Sequence, residues 1–222
     1  MSVRRFFNHP FYILAEFLIL FIALPGAIIF LRLAPWMFTF LWAGGAYCYA
    51  IYRYAMPVSE KKQPLWHLEA LSWRLLGLVL GRWALACAGM VAFLYWYDAD
   101  RLMWGATIPP ERMAMIFLLY PALSALPQEF IYCSFFFRRY QGILKSDAAL
   151  MWVSAVLFAF AHCLYINPVA PGLGLIAGLI FASTYVKTRS LALVSLEHGL
   201  YGNALFFIGL GYYFFSGAVP AH

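Results

Sequence analysis

Charge is what this chain of 222 residues has least of. Charged residues make up 11% of it, against about 25% in an average soluble domain. Hydrophobic residues make up 65% and aromatics 20%, and the mean hydropathy is +0.79. That leaves no room for a soluble domain beside the apolar runs. Cysteine is scarce too. Cys48, Cys87, Cys133 and Cys163 show no CxxC or metal-finger spacing, so no disulfide framework is expected. No internal repeat is visible, which argues against the paired halves common in transporters. The net charge of +6 comes from single basic residues scattered between apolar runs. Without a basic stripe, a nucleic-acid partner is not expected.

The apolar runs are about 20 residues long, the length of a membrane-spanning helix. Open sheets cannot span lipid, and barrel strands would be shorter and alternating. The reading is an all-α, polytopic transmembrane bundle of about seven spans, forming one integral membrane domain. The spans run over about 11–33, 34–52, 80–97, 113–137, 149–166, 172–186 and 191–215. Residues 65–80 alternate apolar positions with His67, Glu69 and Arg74, a pattern that suits an interfacial amphipathic helix. Arg4-Arg5 precedes an apolar run, Phe11 to Leu31, that is too long for a cleaved signal and reads as an anchor. Residues 1–112 form N-terminal helices and a cytoplasmic linker, and residues 113–222 form the core.

Placing the N-terminus in the cytoplasm puts twelve Lys and Arg inside and three outside. On that topology three ionisable residues fall deep in apolar spans. Glu129 and His198 lie roughly 12 Å from the inner ends of their spans, and His162 roughly 18 Å. Ionisable groups are expensive in hydrocarbon, so each is a functional candidate. A Glu with two His can activate a water. The same set also suits zinc with an open coordination position. Pro127, two residues before Glu129, removes a helix hydrogen bond and frees the Leu123 carbonyl. Glu16 reads as interfacial, Glu197 as structural or snorkelling, and Gly172, Gly174 and Gly178 as close helix packing.

The motifs come in order: Gln128-Glu129-Phe130-Ile131-Tyr132-Cys133, then Phe158-Ala159-Phe160-Ala161-His162, then His198-Gly199-Leu200-Tyr201-Gly202-Asn203. Together they resemble the CaaX-protease and bacteriocin-processing family (CPBP) of intramembrane proteases. Members show Glu-Glu-x-x-x-Arg, then Phe-x-x-x-His, then a His followed four residues on by Asn or Asp. This chain departs at three places, with Gln128 for the first Glu, Cys133 for the Arg, and Gly202 four residues after His198. The resemblance implies an intramembrane endopeptidase in a bacterial inner (cytoplasmic) membrane. Glu129 would act as base, His162 would orient the water, and His198 with Asn203 would stabilise the oxyanion. Asn203 lies about 140° round an ideal helix from His198, so its part needs a local distortion. The substrate would be a membrane-associated peptide or protein. No cofactor is expected, with a divalent metal such as zinc the alternative. The rival readings are a non-catalytic scaffold or immunity-type protein on the same fold, and a proton-coupled transporter.

Overall fold

The computed structural model describes residues 3–57 and 63–214. Among these residues helix is the regular structure, with no strand. Seven long helices build the bundle. They are α1 Pro10–Phe30, α2 over 37–55, α3 Trp73–Tyr97, α4 Pro110–Leu144, α5 Asp147–Tyr165, α6 Val169–Thr188 and α7 Leu191–Ile208. Six are long and apolar enough to cross a membrane; α2 is the exception. Its tyrosines and Arg53 dilute its apolar character. The protein is therefore an all-α polytopic bundle, with six such spans where about seven were expected.

The expected interfacial helix over 65–80 does not form as one element. His67 takes a left-handed conformation, φ 43°, and breaks the run. A single 3-10 turn, Leu68–Ala70, follows. The Ser72 side chain then caps α3 by accepting from the Leu75 N–H at 3.4 Å.

Helix α4 is the axis of the fold. Its 35 residues span roughly 52 Å, more than the ~30 Å hydrocarbon core. Two π-helical turns interrupt it, Pro121–Ala125 and Phe130–Phe135. Such turns absorb an extra residue and often mark functional sites. Pro127 sits between them. The Leu123 carbonyl that it frees accepts a hydrogen bond from Trp42 Nε1 at 3.0 Å. A neighbouring helix thus satisfies the lost backbone bond, as an apolar medium requires.

One core of buried side chains runs from Phe21 in α1 to Tyr201 in α7. Small residues set the α5–α6 contact. A Cβ added at Gly178 would stand 3.0 Å from Ala155 Cα, and one at Gly174 would stand 3.4 Å from Ala159 Cα. Gly172 meets nothing within 4 Å, so it is not part of that seam.

Glu16 is buried inside the protein. Arg139 holds it with two bonds, Nε–Oε1 at 2.7 Å and Nη2–Oε2 at 3.1 Å. The hydroxyls of Tyr140 and Tyr47 donate to it at 3.0 and 2.8 Å. Arg139 also bonds Asn8 Oδ1 and the Phe7 carbonyl. The network ties the N-terminal segment, α1 and α2 to α4. Removing the cation strands a buried carboxylate. Arg139→Met should therefore cost about 3–5 kcal/mol of stability, read as a lowered unfolding midpoint in detergent. Glu16→Leu with Arg139→Met should recover most of that loss, because it removes both charges.

Candidate functional site

The site is built on α4, α5 and α7. Gln128 and Glu129 are neighbours on α4, about 100° apart round the helix, and they face different surroundings. Gln128 lines a cavity of about 390 Å³. Glu129 does not line it; its side chain turns to α7 and is buried. There Glu129 Oε1 accepts from His198 Nδ1 at 2.7 Å. The other ring nitrogen, His198 Nε2, stands 2.9 Å from the Tyr120 hydroxyl. Glu129, His198 and Tyr120 thus form one line of hydrogen bonds that ends at the cavity wall. His198 is held in place on several sides. Its ring stacks on Phe181 at 4.6 Å between centroids, and Phe158 meets it edge-on at 5.7 Å.

His162 lies on the same cavity. Its Nδ1 donates to the Phe158 carbonyl at 2.7 Å, because a carbonyl only accepts. The neutral ring therefore keeps its Nε2 lone pair free for a proton. Its ring also meets Phe158, at 4.5 Å between centroids. A smaller cavity of about 140 Å³ adjoins the first. The two share Met37, Phe38, Ser124, Gln128, His162 and Tyr165. Polar groups therefore cluster where two apolar lobes meet. Gln128 Nε2 donates to Ser124 Oγ at 2.9 Å.

Of the expected residues, the structure brings together Glu129, His198 and His162. Asn203 stands apart. Helix α7 runs unbroken through Gly199 and Gly202, so no distortion swings Asn203 round. Its Nδ2 donates to the Phe117 carbonyl at 3.1 Å. It lines a separate apolar groove of about 1110 Å³ between α3, α4 and α7. Asn203→Ala should leave kcat within about threefold of wild type, far short of the 10²-fold expected for a lost oxyanion donor. A steady-state assay beside the wild type checks this.

Helix α4 is also longer than expected. It ends at Leu144, seven residues beyond Phe137. Glu129 then lies roughly 22 Å from that end, rather than roughly 12 Å. The cavity reaches the start of α2 at Met37 and the end of α5 at Tyr165. That end of the bundle is opposite Arg53, Arg139 and Lys187, not beside them.

Sequence reasoning missed three residues. Tyr120 carries no signal in a chain with 15 tyrosines. Ser124 is marked only by standing one turn before Gln128. Arg82 was detectable as a charge inside an apolar helix. It pairs with the buried Glu197 at 2.8 Å, and Thr184 Oγ1 donates to the same carboxylate at 2.6 Å. Glu197 is thus a buried ion-pair partner and does not snorkel. All four cysteines are free. Among the described residues, no three His, Cys, Asp or Glu side chains converge as a metal-ligand set. Glu129 and His198 face each other through Oε1 and Nδ1.

Residues 110–204 match the family model described as type II CAAX prenyl endopeptidase Rce1-like. The matched stretch holds Gln128, Glu129, His162, His198 and Asn203, so motifs and family model point to the same family. No curated protein and no solved structure matches the chain.

Proposed function

We propose that this chain, whose residues 110–204 carry the pattern of the Rce1-like type II CAAX prenyl endopeptidases, hydrolyses a peptide bond within the membrane. The observation that carries this reading is the pairing of two devices on one cavity. One is His162, with Nε2 free to accept a proton. The other is the Glu129–His198 pair, with its outer end at the same wall. An acceptor facing a charge-backed donor line is the minimum for adding water to a carbonyl.

In this mechanism His162 takes the proton of the attacking water and returns it to the leaving amine. Glu129 does not touch the water. It acts through His198, holding the ring in one orientation and favouring positive charge on it. This replaces the role of direct base expected from the sequence, because Glu129 lies behind His198. The substrate is a membrane-associated peptide or protein, with apolar residues on both sides of the scissile bond to fill the two lobes. The protein is an integral membrane protein. With the N-terminus in the cytoplasm of a bacterial inner membrane, the cavity faces the outer side, and the substrate reaches it from there.

A second reading has its own observation. Gln128, a neutral residue, lines the cavity where the family motif has an acid, as a non-catalytic scaffold on this fold would permit. Reconstituted wild-type protein and membrane-anchored peptides with apolar flanks separate the two. One new N-terminus, absent with His198→Ala, supports hydrolysis. Intact peptides at saturating enzyme would favour the scaffold.

A further inference from the structure

Tyr120 and His198 both line the cavity, and the hydroxyl of Tyr120 covers the outward ring nitrogen of His198. It stands 2.9 Å from His198 Nε2, and Tyr120 lines the cavity that holds His162. Among the described residues no other group bonds His198 Nε2, and Nδ1 is taken by Glu129. His198 therefore cannot donate directly to a substrate oxygen while this bond stands.

Helix α7 is shaped to receive the tyrosine. Residues 198 and 202 lie one turn apart on the same face. A Cβ at Gly202 would overlap the Tyr120 ring at Cε1. One turn's width away, a Cβ at Gly199 would stand 3.0 Å from Pro121 Cβ. Two glycines thus seat Tyr120 and Pro121 against α7, where the first π-helical turn of α4 begins. Phe206 closes on the ring from the far side, at 5.7 Å between centroids. The aromatic ring fills the space that a side chain at 202 would occupy, and its hydroxyl lands on His198.

We infer that Tyr120 is a catalytic residue, the donor that stabilises the oxyanion formed when water adds to the substrate carbonyl. The inference rests on the hydrolytic reading above. The bonds run one way. The Glu129 carboxylate accepts Nδ1–H from His198 in its imidazolium form. His198 donates Nε2–H to the Tyr120 oxygen. Tyr120 O–H donates to the oxyanion. Water oxygen bonds to the carbonyl carbon while His162 Nε2 takes the water proton. The tetrahedral adduct then collapses, the C–N bond breaks, and that proton leaves with the amine. Tyr120 and His198 keep their protons throughout, so the line acts by charge and geometry alone.

The test is Tyr120→Phe, which removes one oxygen and keeps the ring. With wild type active, kcat should fall about 10²-fold with KM within threefold, the loss typical of one oxyanion donor. Affinity for a phosphinate mimic of the tetrahedral adduct should fall by a similar factor, while binding of uncleaved peptide stays level. A purely structural role would not divide the two ligands. Gly202→Ala keeps the phenol but pushes the ring aside, and should reproduce the loss. It decides the matter if Tyr120→Phe does not fold. Unchanged kcat in either folded variant, or a change in KM alone, overturns the inference. Silence of the wild type itself would be a different failure. It would reject the hydrolytic reading, and this inference with it.

Discussion

Glu129→Gln should lower kcat on the order of 10³–10⁴-fold while the protein still inserts and folds. The amide keeps the size of the carboxyl but has no charge to hold the His198 imidazolium. It can also present its N–H to Nδ1, which favours the opposite tautomer. In hydrolases where a carboxylate backs a histidine, the equivalent change costs about 10⁴. The effect should fall on kcat with little change in KM, because Glu129 does not line the cavity. Initial rates in proteoliposomes, beside a matched thermal unfolding curve, provide the check. Retained activity would show that Glu129 is only a buried packing acid.

His162→Ala should be nearly as severe, with a loss of about 10²–10⁴-fold, the usual contribution of a positioned base. It removes the basic nitrogen on the cavity whose partner nitrogen is fixed as a donor by the Phe158 carbonyl. Small amines that enter the emptied space should restore part of the rate, as replacement proton acceptors. His162→Gln keeps polarity without a usable base and should stay as low as alanine. Measured kcat for the two variants, with and without imidazole, separates base catalysis from packing around Phe158. Full activity in His162→Ala would remove His162 from the mechanism.

Much of the site was legible because hydrocarbon makes ionisable groups conspicuous. Glu129, His162 and His198 stood out from their apolar spans, and the structure gathers them. The angle between His198 and Asn203 was legible too, since α7 is a regular helix. Which of Gln128 and Glu129 faces the cavity was not. Two π-helical turns flank the pair, and each shifts the phase of α4 from the ideal 100° per residue. The ion pair of Glu16 was hidden for a related reason. The apolar run ends near Phe137, but the helix continues to Leu144. That extension carries Arg139 inward onto Glu16. Tyr120 was invisible, because its part depends on the missing side chain at Gly202 on another helix. The spans themselves followed from composition, except α2, whose tyrosines and Arg53 blur the signal.

The central claim is that this chain hydrolyses peptide bonds with Gln128 in place of an acid. The direct measurement is cleavage of one membrane-anchored peptide by wild type and by Gln128→Glu, alone and with Cys133→Arg. Equal amounts of each are reconstituted in ¹⁸O-water, and the products are read by mass spectrometry. The account predicts that wild type cleaves at one bond, that the new carboxyl carries one ¹⁸O, and that Gln128→Glu is not required. A silent wild type beside an active Gln128→Glu or double variant would contradict it.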